Sequence, residues 1–173
     1  MGLGNILNEI MMSDDKFNIS IAGRLIGVTE PPYVIAELSA NHNGSLETAL
    51  RIIEEAKKAG ADAVKLQTYT ADTITLNSDT EDFQIHGGLW DGRTLYDLYE
   101  EAHTPWSWHA PLFEYAQKID IPIFSSPFDT TAVDLLEDLN APAYKIASFE
   151  EIDLPLIKYV ASTGKPLIIS TGM

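Results

Sequence analysis

Two lysines stand where an unpaired ammonium has no structural use. Lys65 lies in Asp62-Ala-Val-Lys-Leu-Gln-Thr-Tyr69 and Lys145 in Tyr144-Lys-Ile-Ala-Ser148, both short runs of strand type. In the first run Val64, Leu66 and Thr68 alternate with Lys65 and Gln67, so one face is apolar and the other carries an ammonium and an amide. An ammonium alone in a dry interior is costly or loses its proton, so each lysine needs a carboxylate or an anionic ligand. Other polar residues gather at comparable positions after apolar runs: Glu37 and Asn41, then Ser125 and Ser126, then Ser148 with Glu150, then Ser170 and Thr171. Two ammonium groups with several hydroxyls suit an anion bearing phosphate or hydroxyl oxygens. Three other readings stay open. Lys65 can form an internal ion pair with Glu37, and Lys145 with Glu150; either lysine can be a Schiff-base nucleophile of an aldolase; or the set can bind an anion without catalysis.

Elements of a repeating kind would have to position these groups. Tyr33–Leu38 reads as a strand, Asn41-His42-Asn43-Gly44 as a tight loop, and Ser45 as the N-cap of a helix ending at Gly60. The run at 62–69 is the second strand. Residues 70–93 form the longest irregular stretch, with turn signals at Gly87-Gly88-Leu89-Trp90 and Asp91-Gly92. Helical spacing returns over Thr94–Ala102 and Pro105–Ile119. Ile121–Phe124, Ala143–Ala147 and Leu167–Ser170 are further strands, with helices capped by Asp129 and Asp153 between them. The alternation predicts a parallel sheet with right-handed crossovers. Polar residues recurring on one strand face point to a barrel mouth rather than a doubly wound sheet. The expected fold is therefore α/β, a (β/α)8 TIM barrel of which residues 33–173 carry about the first five units. Residues 17–32 are expected to form a hairpin plug over one end, and residues 1–16 a polar, mobile lead-in. His86, His103 and His109 have no metal-type spacing and read as surface or packing residues, while His42 belongs to the first loop.

The 173 residues carry a net charge of −15, which argues against nucleic acid and anionic membrane surfaces as partners. With only 11 Lys and Arg, an anion site must focus its few cations. No apolar run approaches the length of a membrane span, no secretory signal opens the chain, and cysteine is absent. Those features fit a cytoplasmic protein and exclude disulfides and thiolate metal sites.

Five ordered motifs carry a resemblance. They are Glu37-Leu-Ser-Ala-Asn-His-Asn-Gly44, Lys65-Leu-Gln-Thr-Tyr69, Ser125-Ser-Pro-Phe128, Tyr144-Lys-Ile-Ala-Ser148 and Ser170-Thr-Gly-Met173. Together, from about Phe17 onward, they resemble the sialic acid synthase family. The first motif, the Gly-Gly-Leu-Trp loop, Tyr96-Asp-Leu-Tyr-Glu100 and Thr104-Pro-Trp-Ser-Trp-His109 are similar to its branch acting on a diacetamido trideoxy sugar of altro configuration. The N-acetylneuraminate and legionaminate branches are the alternatives. The resemblance implies condensation of phosphoenolpyruvate with the open-chain amino sugar, giving a nonulosonic acid and phosphate for a bacterial surface glycan. It implies that Lys65, Lys145, Ser126, Ser148 and Ser170 hold phosphoenolpyruvate. Gln67 and Glu150 would address the sugar, Tyr69 and Trp90 would wall its site, Asn41 would join the binding set, and Glu37 would lie near the reacting carbons. It further implies a whole barrel with a following antifreeze-like domain, and a divalent metal (manganese or magnesium) on two histidines from later strands. A homodimer whose partner supplies an arginine is implied as well. None of those ligands falls in these residues, so the chain is expected to be a partial sequence with little or no activity alone.

Overall fold

The computed structural model describes residues 18–171; the expected lead-in at residues 1–16 lies outside them, as do Phe17, Gly172 and Met173. Ile19–Ile21 (β1) and Arg24–Ile26 (β2) pair antiparallel. Their two-residue turn, Ala22-Gly23, takes φ of 49° and 83°, the left-handed geometry that tight hairpins require.

Five parallel strands follow: Ile35–Glu37 (β3), Ala63–Thr68 (β4), Ile123–Pro127 (β5), Tyr144–Ile146 (β6) and Leu167–Ile169 (β7), adjacent in chain order. Leu46–Lys58 (α1) joins β3 to β4. Ala71–Ile74 (α2), Leu95–Ala102 (α3) and Trp106–Lys118 (α4) lie between β4 and β5. Thr130–Asp138 (α5) and Leu154–Ser162 (α6) make the remaining crossovers. Capping follows the sequence: the Ser45 hydroxyl accepts from Thr48 N–H at 3.2 Å, Asp129 from Ala132 N–H at 2.7 Å, and Asp153 from Leu156 N–H at 3.0 Å. Among the described residues no helix is long and apolar enough to cross a membrane.

Strand order without reversal is barrel order, whereas doubly wound sheets reverse at a switch point. Side-chain alternation then divides the residues into two sets. Val64, Leu66, Ile123, Tyr144 and Ile146 face outward and pack with Ile53, Leu112, Leu136, Leu156 and Val160 of the helices. Ala63, Phe124 and Ala143 face inward and form a separate cluster with Ile21 of β1. The helices thus cover one face, and the curled inner face is filled at its amino end by the hairpin. These are five units of a TIM barrel with an N-terminal plug.

The plug is clamped from the side. Arg24 forms an ion pair with Asp62, stacks over the Tyr33 ring, and donates to the carbonyls of Pro31 and Pro32 at 3.3 and 3.0 Å. Asp62 also accepts from Val34 N–H at 2.7 Å, which leads in holding its carboxyl below the usual range.

Two expectations are refined. The third barrel strand does not stop at Phe124: the ladder runs to Pro127, because Ser125, Ser126 and Pro127 pair with Leu66, Gln67 and Thr68. The stretch at 70–93 is not irregular throughout. It holds α2 and two 3-10 turns, Glu81–Phe83 and Gly88–Trp90, and is closed by Ile85 N–H to Arg93 O at 2.8 Å and Gly92 N–H to Ile85 O at 2.9 Å.

Ile21 is 1% exposed and is the plug's contribution to the inner cluster. Ile21→Ala is expected to destabilise the chain by about 2–5 kcal/mol, read as a lower urea midpoint at unchanged slope.

Candidate active site

At the carboxyl ends of the strands the inner face turns from apolar to polar. Register sets Glu37 beside Lys65 and Gln67 beside Ser126. The Lys65 ammonium meets the Glu37 carboxylate at 2.7 Å. The ion pair left open by the sequence therefore forms, but it is lopsided: the lysine side chain is 5% exposed and the glutamate 55%. The carboxylate reaches down from solvent to a buried cation, and water competes for one end of the pair only.

Lys145 does not pair with Glu150 in this way. Its ammonium donates to Ser170 Oγ at 2.8 Å and lies 3.4 Å from the carbonyl oxygen of Ile146. Burial lowers its pKa, the charge of Lys65 lowers it further, and Glu37 and Glu150 oppose both effects. Two ammonium groups close enough to depress one of them make a strong local demand for negative charge. Ser126 adds to it. Its hydroxyl is buried without a protein partner, the condition of a group that waits for water or ligand. Glu150, in the turn Phe149–Ile152 after Ser148, has one carboxylate oxygen buried and unpartnered. Burial raises its pKa first, with Asp153 adding and Lys145 opposing.

The remaining residues of the sequence-derived set are distributed around this centre. Ser148 sits at the strand exit in right-handed helical geometry and makes no side-chain capping bond. Asn41 folds back so that its amide donates to Leu38 O at 3.0 Å. Its loop includes Ser39 at φ 48°, an uncommon conformation for a non-glycine residue, with a cost on the order of 1 kcal/mol. Tyr69 is buried edge-on to Tyr99 and Phe128, ring centroids at 5.9 and 5.3 Å, and burial pushes its phenol up to about 12. Trp90 lies 39% exposed on the long loop, with the Arg93 guanidinium 5.7 Å over its ring.

Ser125 departs from the sequence reading. The sequence groups it with Ser126 at the mouth, but strand alternation turns it to the helix side. There its hydroxyl meets Thr68 Oγ1 at 2.6 Å, and Thr68 meets His109 Nε2 at 2.9 Å. His109 is fully buried, a packing residue as expected but also a hydrogen-bonding one. The available signal was parity: Thr68 and Ser125 sit on apolar-face positions, where a hydroxyl must find a partner. Among the described residues no group of three or more His, Asp or Glu side chains converges to hold a metal ion.

Comparison with known proteins places this geometry. The NeuB family model matches residues 52–173. Pseudaminic acid synthase of Helicobacter pylori is 56% identical over 144 residues, which are 83% of this chain and 42% of that protein. The Campylobacter jejuni pseudaminic acid synthase of serotype O:2 is 58% identical over 141 residues, 82% of this chain and 41% of that protein. The chain thus spans about two fifths of the length of these curated relatives. A solved N-acetylneuraminic acid synthetase from Leptospira borgpetersenii, in complex with citrate, superimposes with a TM-score of 0.76 at 29% identity, over 90% of this chain and 50% of that one. The matched residues contain both strand-end lysines, Gln67 and Ser126, and the chain belongs to the NeuB family.

Proposed function

We propose that this chain forms the phosphoenolpyruvate-binding part of a pseudaminic acid synthase. The observation that carries the reading is that Lys65, Lys145 and the unpartnered hydroxyl of Ser126 all fall on the inner face at the carboxyl ends of adjacent strands. Identities of 56% and 58% to pseudaminic acid synthases favour the altro diacetamido trideoxy sugar as the second substrate.

In this reading Lys65, Lys145, Ser126, Ser148 and Ser170 take the phosphate and carboxylate of phosphoenolpyruvate. Its C3 attacks the sugar aldehyde carbon, forming the new C–C bond as the aldehyde oxygen gains a proton. Water adds to the cationic C2 and loses a proton. The bond from C2 to the phosphate oxygen then breaks as the new C2 hydroxyl gives its proton to that departing oxygen, releasing phosphate and leaving the 2-keto acid. Fixed ammonium groups aimed at the leaving phosphate need no reorganisation during the reaction, the form of electrostatic help that usually contributes most. Glu37, half in solvent and hydrogen-bonded to a buried cation, is placed to move the proton. Gln67 and Asn41 contact the sugar, Glu150 donates or accepts at a sugar hydroxyl, and Tyr69 and Trp90 flank it.

A divalent metal, manganese or magnesium, belongs to the proposal as the group that polarises the aldehyde. The described residues offer it no ligand set, and none of the steps above runs through it. A homodimer, a cytoplasmic location and a place in bacterial surface-glycan synthesis complete the reading.

Calorimetry with phosphoenolpyruvate on this chain tests it. Lys145→Met is expected to weaken binding by about 10–100-fold, the effect of removing a charge-assisted hydrogen bond. Affinity should also fall as pH rises, beginning below the ordinary lysine range because the folded pKa of Lys145 is depressed; Lys145→Arg should flatten that limb. Equal affinity in Lys145→Met sinks the assignment.

Glu150 offers a stability test. Its folded pKa is raised, so its contribution is favourable below the unfolded carboxylate pKa and is lost as pH rises through the folded value. Glu150→Gln should therefore melt at or above the parent temperature at pH 7–8, with the difference vanishing below about pH 4. A lower melting temperature at pH 8 contradicts this.

Borohydride added to the full-length protein with sugar and phosphoenolpyruvate should leave no adduct on Lys145 or Lys65 by mass spectrometry. A reduced adduct would move the protein to the Schiff-base aldolases.

A further inference from the structure

The first turn of α4 touches the loop after β3 and the carboxyl end of β4 from behind, and through β4 is linked to β5. Trp108 packs edge-on to His42 in the loop after β3, with ring centroids 5.4 Å apart. One residue on, His109 Nε2 lies 2.9 Å from the hydroxyl of Thr68, the last residue of β4. That hydroxyl is 2.6 Å from Ser125 Oγ on β5. All three side chains are fully buried.

The proton positions in this chain are fixed by its far end. His109 Nδ1 faces the carbonyl oxygen of Pro105 at 3.3 Å, and a carbonyl can only accept. Nδ1 therefore carries the hydrogen, the neutral ring leaves Nε2 as an acceptor, and Thr68 must donate to it. Thr68 then accepts from Ser125. Burial lowers the pKa of His109, in keeping with a neutral ring.

Thr68 is the neighbour of Gln67, and Ser125 is the neighbour of Ser126. Gln67 and Ser126 are in register on the opposite face. The hydroxyl chain thus ties β4 to β5 one residue away from the two groups that face the mouth. We propose that His109 is a positioning residue for the anion site: as a neutral acceptor behind the sheet it locks Thr68 and Ser125, and so sets the direction of Gln67 and Ser126. The inference rests on the proposed reading of the mouth only for the identity of the anion.

The test uses two substitutions of different chemistry. His109→Leu fills much of the space but removes the acceptor, whereas His109→Gln returns an amide oxygen near the position of Nε2. In nitrogen-15 NMR of this chain, the His109 ring should show a protonated Nδ1 and a bare Nε2 at neutral pH. The amide signals of Gln67 and Ser126 should move in His109→Leu and return toward the parent in His109→Gln. Phosphoenolpyruvate affinity should drop about tenfold in His109→Leu and recover to within about threefold in His109→Gln. Thr68→Val combined with His109→Leu should add little to either alone, since both break one chain. A protonated Nε2, or Gln67 and Ser126 signals unmoved in His109→Leu, overturns the proposal. If the parent chain binds no phosphoenolpyruvate, the proposed function fails, and the ligand-free signals still decide the role of His109. If His109→Leu does not fold, Thr68→Val and Ser125→Ala carry the same two-signal comparison.

Discussion

One buried ammonium governs the layout of the mouth. Lys65 is 4% exposed on the inner face of a parallel sheet, and a single carboxylate, Glu37 on the neighbouring strand, answers its charge. A symmetric buried pair would be structural cement, with both ions dehydrated and each needing the other. Here the desolvation falls on the cation while the anion keeps its water. The lysine is therefore confined, and Glu37 can turn aside for another anion without itself becoming a stranded buried charge. Lys145 sharpens the effect: its ammonium feels Lys65 as well as burial.

The two faces of each strand divide the labour. Outward residues build the interior under the helices, and inward residues change character along the strand, from Ala63, Phe124 and Ala143 against the plug to Lys65, Ser126 and Lys145 at the open end. Stability and recognition thus use the same short strands without competing for the same side chains. Thr68 and Ser125 bring hydroxyls to the helix side, where they satisfy each other and His109, and the Tyr144 hydroxyl there donates to Glu137.

Much of this was legible because it depends on period and type. Alternation in 62–69, caps at Ser45, Asp129 and Asp153, and repeated strand-helix spacing predict the architecture, and all are local signals. The lysines were legible as strand-end cations for the same reason. What escaped depends on which side of a strand a residue falls, or on partners far away in sequence. Ser125 and Ser126 look alike as a pair until the register of β5 against β4 sends them to opposite faces. His109 looks like any helix-packing histidine until a threonine 41 residues away meets its ring. The ion pair at Lys65 depends on the register that sets Glu37 beside it, which residue types alone do not carry.

The long segment between β4 and β5 has a kinetic meaning as well. Register partners on β4 and β5, such as Val64 and Ile123, are 59 residues apart, more than on any other pair of neighbouring barrel strands, and closing so long a loop carries the largest entropic cost of any pairing here. Each doubling of loop length adds only roughly 0.6 kcal/mol, so the difference from the shorter crossovers is modest in stability. It weighs more on rate, because the closure must be made before its contacts reward it. The joint between β4 and β5 is thus the seam at which the nascent sheet is slowest to close, and it is the seam fastened by three buried polar side chains rather than by apolar contact alone.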